Sequence, residues 1–84
     1  GRITRIYPQP AQDKLNILYH SFYAGAGTIT ITDINGKTVI SQTRKLDKGT
    51  QALEIKTDQL GSGMYLVTIT DKNNQRTSQK FVKE

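Results

Sequence analysis

The chain has 84 residues, of which 35% are hydrophobic and 23% are charged, and it contains no cysteine. A chain of this length forms one domain, and its core must hold without disulfides or thiolate metal sites. The formal net charge is +5, but the basic residues are scattered, with no cluster longer than Arg44-Lys45, so we expect no nucleic-acid partner. The longest apolar run, Met64 to Val67, is far short of the ~20 residues that span a bilayer, so we also expect no membrane span.

Apolar and polar residues alternate with a period of two through most of the chain, which predicts half-buried strands. In chain order, the predicted strands are Ile3–Tyr7, Leu15–Tyr19, Thr28–Asp33, Thr38–Arg44, Leu53–Lys56, Tyr65–Thr70 and Thr77–Lys83. Outward-facing threonines in two of them favour extended backbone over a helix. About seven strands at intervals of roughly 8–12 residues are typical of two packed sheets. The predicted fold class is therefore all-β, a small Ig-like β-sandwich of about seven antiparallel strands.

The residues between the strands indicate how they connect. Asn35-Gly36 predicts a tight hairpin, because both residues tolerate positive φ, and residues 72–75 should join the last two strands in the same way. Pro8 and Pro10 cannot donate ladder hydrogen bonds. We therefore expect the segment from Tyr7 to Ala11 to leave the first strand and cross to the next strand in a polyproline-like conformation.

Residues able to carry chemistry are few, and each has a simpler explanation. His20 and Ser21 are adjacent in a predicted strand, so they should point to opposite faces and cannot act as base and nucleophile. Asp33-Ile34-Asn35-Gly36 resembles the first part of a calcium loop, but the later acidic ligands are missing. Five aspartates fall at strand ends or turns, where they cap backbone N–H groups: Asp13, Asp33, Asp47, Asp58 and Asp71. The sequence predicts no enzyme, no metal and no cofactor.

Four motifs occur in a fixed order along the chain. They are a Tyr-Pro-x-Pro-x-x-Asp-x-Leu-x-Ile opening at Tyr7, an Asp-x-x-Gly at Asp33, a Gly-x-Tyr-x-Val-x-Ile strand at Gly63 and a terminal Lys-x-Val-Lys at Lys80. As an ordered set over nearly the whole chain, they resemble the C-terminal sorting domain (type A) of proteins exported by the type IX secretion system. Gln9 stands where that family usually carries Asn, but both prolines are kept.

This resemblance implies that residues 1–84 are a single C-terminal sorting domain, a fragment of a larger secreted precursor whose cargo precedes it. The cargo would pass through the periplasm of a Gram-negative bacterium and the type IX outer-membrane translocon. A sortase-like cysteine protease would then remove the domain as the cargo reaches the cell surface or the medium. The residues implied in recognition and sorting are Tyr7, Pro8, Pro10, Asp13, Gly63, Tyr65, Lys80, Val82 and Lys83.

The last strand suggests a physical mechanism for recognition. A receptor can add a strand to an unpaired sheet edge, with Lys80 and Lys83 setting the register. The main alternative is an Ig-like or fibronectin-like spacer or adhesion module of a secreted enzyme, with no sorting role. A small carbohydrate-binding sandwich is less consistent with the sequence, since the chain has no tryptophan and only 7% aromatic residues.

Overall fold

A computed structural model describes all 84 residues and confirms the seven strands, with no helix. The molecule measures 33 × 23 × 16 Å. The strands are β1 (Arg2–Tyr7), β2 (Lys14–Ser21), β3 (Gly25–Asp33), β4 (Thr38–Leu46), β5 (Gly49–Lys56), β6 (Gly63–Thr70) and β7 (Arg76–Lys83).

The strands form two antiparallel sheets, with the order β1-β2-β5 in one and β4-β3-β6-β7 in the other. The two predicted hairpins, β3–β4 and β6–β7, are confirmed, because each joins neighbouring strands of one sheet. The chain passes from one sheet to the other after β2, β4 and β5. The predicted Ig-like sandwich of seven antiparallel strands is confirmed.

The core lies between the sheets and is made by the inward-facing residues of the alternating strands, as their period of two requires. Tyr19 and Phe81 are the largest fully buried side chains, one from each sheet. The buried cluster consists of Ile6, Ala11, Leu15, Ile17, Tyr19, Ile29, Ile31, Leu46, Leu53, Ile55, Val67, Ile69 and Phe81. Since no cysteine is present, apolar burial and the backbone ladders carry the stability.

The β3–β4 turn is the tight hairpin predicted at Asn35-Gly36, and its backbone hydrogen bonds define its length. Gly36 N–H donates to the Asp33 carbonyl at 3.0 Å and Asp33 N–H donates to the Lys37 carbonyl at 2.9 Å, so the loop has three residues. Only Gly36 has positive φ, at 82°, although Asn35 would also tolerate it. The loop matches a type I turn followed by a left-handed residue.

The β6–β7 turn repeats this arrangement with Asn74 in the left-handed position, at φ 63°. The predicted capping role is confirmed for Asp33 and Asp71, which open these two turns. Oδ1 of Asp33 accepts from the N–H groups of residues 35 and 37, and Oδ1 of Asp71 accepts from those of residues 73 and 75. The predicted role is wrong for Asp13, Asp47 and Asp58, because none of their carboxylates accepts a backbone N–H group.

Residues 8–13, called here the proline strap, connect β1 to β2 by way of the opposite sheet. The expected polyproline-like conformation is wrong: residues 8–10 form a bend, and the peptide bonds before Pro8 and Pro10 are cis. The expected departure from β1 is present, but the segment does not pass directly to the next strand, because Ala11 pairs in parallel with the end of β7 in the other sheet. Ala11 N–H donates to the Val82 carbonyl at 2.7 Å, and Glu84 N–H donates to the Ala11 carbonyl at 2.9 Å.

The sandwich has two ends with different contents. One end, called here the strap end, carries the proline strap, the β3–β4 turn, the start of β6 and the end of β7. The other, called here the Gly1 end, carries the chain start, the β2–β3 connection and the β6–β7 turn, since Arg2 pairs with His20 and Thr70 pairs with Arg76.

Candidate functional site

The sequence-predicted recognition residues lie in distant stretches of the chain, and antiparallel pairing brings them to the strap end. Tyr7 is the last residue of β1 and pairs with Asn16, and Gly63 pairs with Lys83. The set at this end consists of Tyr7, Pro8, Pro10, Asp13, Gly63, Tyr65, Lys80, Val82 and Lys83. Some of these residues form contacts that hold the fold together, and others are exposed to solvent.

Tyr65 is one of the residues that hold the fold together. It is half-buried, its ring stacks on Phe81 with centroids 5.7 Å apart, and its hydroxyl donates to the Gly61 carbonyl at 2.8 Å. A tyrosine at the start of this strand that bonds to backbone a few residues upstream is the tyrosine corner of Ig-like sandwiches. Tyr65 thus holds the β5–β6 connection against the core, and only part of its side chain is exposed.

The proline strap is tied down from both sides. Thr57, fully buried after β5, donates its N–H to the Asp13 carbonyl at 2.8 Å and its hydroxyl to the Gln12 carbonyl at 2.8 Å. Ala11 is fully buried and bonds to β7, while Pro8 and Pro10 remain exposed. The strap therefore presents its prolines to solvent from a fixed backbone.

The strap also changes the expectation for the last strand. The Val82 carbonyl and the Glu84 N–H on the outer side of β7 are already bonded to Ala11. Since backbone groups on one side alternate along a strand, the outer edge of β7 stays unpaired only from Arg76 to Lys80. Strand addition at the chain end itself would require the strap to leave.

Lys80 and Lys83 do not form one charged site. Residues three apart in a strand point to opposite faces, and the two lysines differ accordingly in exposure. Lys80 is exposed on the outer face of the sheet, whereas Lys83 is half-buried and donates from Nζ to the Glu84 carbonyl at 3.1 Å.

Beside Lys80, the outer face of the four-stranded sheet carries an apolar surface, called here the outer-face patch. Met64 pairs with Val82 and Leu66 pairs with Lys80 across the β6–β7 ladder, and Ile34 follows from the adjacent turn. Ile34 is 79% exposed, Met64 51% and Val82 43%. An open pocket of about 420 Å³ lies here, lined by Thr32, Asp33, Ile34, Gly36, Met64, Tyr65, Leu66 and Lys80.

Sequence reasoning did not assign Ile34, Met64 or Leu66 to a site. A signal was present, because Met64-Tyr65-Leu66-Val67 places apolar residues on both faces of β6 and breaks the period of two. In a sheet with one solvated face, an apolar residue on that face is the informative exception.

The Gly1 end has its own buried polar groups. Burial raises the pKa of Tyr19, and the nearby charge of Asp71 raises it further, while the Ser21 hydroxyl acts in the opposite direction. Oδ2 of Asp71 is buried without a hydrogen-bond partner. His20 Nδ1 lies 3.1 Å from Thr50 Oγ1, and the Ser21 hydroxyl donates to the Tyr23 carbonyl at 2.6 Å, so these two neighbours have separate partners, as predicted.

Comparison with known proteins gives a family. The family model described as "Secretion system C-terminal sorting domain" matches residues 5–84. The chain is also 29% identical, over 79 residues, to an endo-acting ulvan lyase of Formosa agariphila. That similarity covers 93% of this chain and 14% of the lyase, so the chain spans about one seventh of that relative. No helix of the structure has the length and apolar character needed to cross a membrane.

Proposed function

This chain belongs to the family of secretion system C-terminal sorting domains, and from that membership we propose that it directs a preceding cargo through the type IX outer-membrane translocon. A type IX sorting signal serves export to the cell surface or the medium of a Gram-negative bacterium. In the proposed sequence of events, the cargo crosses the periplasm with this domain attached. A sortase-like cysteine protease then removes the domain.

The family match over residues 5–84 carries the proposal, and the placement of the motif residues at one end supports it. The exposed prolines of the strap, Lys80 and Val82 all lie at the strap end, while Gly1 lies at the other end, beside Tyr19. Cargo attached ahead of Gly1 would therefore leave the strap end open to a receptor.

The domain acts as a substrate of the export machinery and not as a catalyst. Sorting domains carry an address, and any enzymatic activity belongs to the cargo. The similarity to part of an ulvan lyase supports a cargo of enzyme size, because a domain of this kind accompanies a much longer chain there.

Export of a reporter tests the proposal. The domain is fused behind a signal peptide and a reporter in a bacterium that runs type IX secretion, and the reporter is measured at the surface, in the medium and in the periplasm. We expect export by the intact fusion and periplasmic retention when Lys80 to Glu84 is deleted. That deletion removes the partners of Ala11, so a milder variant must accompany it.

The milder variant carries Lys80→Ala and Lys83→Ala, each expected to change stability by no more than about 0.5 kcal/mol. Its matched control carries Lys45→Ala and Lys48→Ala, two exposed lysines outside the strap end. Retention of the first folded variant and export of the second would support an address at the strap end. If the intact fusion stays in the periplasm while an established sorting domain exports the same reporter, the sorting function is wrong and the spacer or adhesion module replaces it.

A further inference from the structure

We propose that the outer-face patch binds an acidic segment of a partner protein, with an apolar side chain in the pocket and a neighbouring carboxylate paired with Lys80. This inference rests on the proposed function and specifies the chemistry of the receptor that it implies.

The exposed apolar residues of the outer face are concentrated toward one end of the sheet. Toward the Gly1 end, the outer face of β3 and β6 carries threonines such as Thr30 and Thr68, which pair with each other, and Thr68 also bonds to the Ser78 hydroxyl at 2.8 Å. Toward the strap end the same face becomes apolar, at Leu66 and Met64. A solvated face that changes in this way, with the apolar residues contiguous, marks an interaction surface.

Lys80 supplies an unpaired positive charge beside this apolar surface. The only ion pair of the protein joins Lys14 Nζ to Glu54 Oε2 at 3.6 Å, so Lys80 has no counterion. Asp33 also lines the pocket, but it forms no ion pair with Lys80, and its Oδ1 is held by two backbone N–H groups of its own turn. A partner that covers Lys80 must therefore supply an acceptor, since an ammonium group removed from water without a partner is costly.

The dimensions favour an extended segment over a folded element. About 420 Å³ of open pocket is near the small end of the ~300–1,000 Å³ typical of ligand sites, which is room for one or two side chains. The net charge of +5 adds a longer-range attraction for an acidic partner.

Site-specific crosslinking in the natural precursor tests the proposal. A photo-reactive residue replaces Met64, the precursor is expressed in its own bacterium, and the crosslinked peptide is sequenced by mass spectrometry. We expect a segment of an export-machinery protein with Asp or Glu within a few residues of the crosslink. A photo-reactive residue at Lys45, on β4 outside the patch, is the matched control and should give no such product.

Charge variants of Lys80 then test whether it pairs with a carboxylate of the partner. Lys80→Glu should lower both crosslink yield and export about tenfold, equivalent to about 1.4 kcal/mol, whereas Lys80→Arg should stay within about twofold of the natural protein. Lys45→Glu controls for net charge and should have no effect. Lys80→Gln, which removes the charge without reversing it, is the second variant if Lys80→Glu does not melt cooperatively.

The outcomes separate this proposal from the sorting function. If the natural precursor is exported but the crosslink reaches lipid, a second copy of the domain or a segment without acidic residues, the acidic partner is wrong and sorting stands. Unchanged export and crosslinking of Lys80→Glu would have the same meaning. If the natural precursor is not exported at all, the sorting function fails and this proposal fails with it.

Discussion

Replacing Thr57 by valine is expected to loosen the proline strap while leaving the shape of the core unchanged. Valine has nearly the volume of threonine and the same branching at Cβ, and Thr57 is fully buried. The substitution removes one interaction, the hydrogen bond from the Thr57 hydroxyl to the Gln12 carbonyl at 2.8 Å. The backbone bond from Thr57 N–H to the Asp13 carbonyl remains possible.

The expected loss of stability follows from the Gln12 carbonyl, which is left without its hydrogen-bond donor. The hydrogen bond is part-buried, and an unpaired polar group costs about 1–3 kcal/mol when it is fully buried, so the lower end of that range, about 1 kcal/mol, applies to the Gln12 carbonyl. For a domain of this size, 1 kcal/mol lowers Tm by roughly 4–8 °C. We therefore expect Tm to fall by about 4 °C or more.

Thermal melting by circular dichroism measures the loss, and amide hydrogen exchange locates it. The amides of Ala11 and Glu84, which form the strap contact with β7, should exchange faster in Thr57→Val by a larger factor than the core amides of β3. Thr43→Val, at an exposed position of β4, is the matched control and should change stability by less than about 0.5 kcal/mol. If Thr57→Val and Thr43→Val melt alike and the Ala11 amide is unaffected, Thr57 does not hold the strap.

Three further predictions concern the turns and the core. Gly36→Val should lower the free energy of unfolding by about 1–3 kcal/mol, because φ is +82° there, although no atom lies within 4 Å of an added Cβ; a variant with the natural melting temperature would contradict this. Gly27→Ala should also destabilise, by about 1–3 kcal/mol, since its Cβ would lie 2.9 Å from the Thr70 carbonyl oxygen; chemical denaturation that gives an unchanged midpoint would refute the close approach. Burial and the charge of Asp71 raise the pKa of Tyr19, so the folded state keeps that proton at a pH where the unfolded state releases it, and stability should fall as pH rises above about 10 at up to about 1.4 kcal/mol per pH unit. Tyr19→Phe should show a shallower decline in alkaline melts than the natural protein, and equal slopes would exclude this contribution.

Local features of the sequence determined the strands and the positions of the turns. The period of two is a property of neighbouring residues, because successive side chains of a strand face opposite sides wherever that strand lies. For the same reason, Ile29, Ile31, Val67 and Ile69 could be assigned to a core before the sheets were known. The two aspartate turns were also readable, since an aspartate caps N–H groups only two and four residues away.

The resemblance to a sorting domain likewise depended only on the order of short motifs, and the family match over residues 5–84 confirms it. Which motif residues face solvent was not contained in those motifs. Tyr65 and Lys80 belong to neighbouring strands, yet one is half-buried in a tyrosine corner and the other is exposed on the outer face. Their difference follows from strand register and from the sheet that covers each face.

Only the tertiary structure decided what lies at the strap end. The bond between Ala11 and Val82 joins residues 71 positions apart, and it closes the edge of β7 that the sequence alone would leave open. The outer-face patch likewise combines Ile34, Met64 and Lys80 from three parts of the chain. A pattern within one strand identifies which residues share a face, but it cannot say which other strand lies beside that face, because this depends on how two sheets pack and how the chain crosses between them.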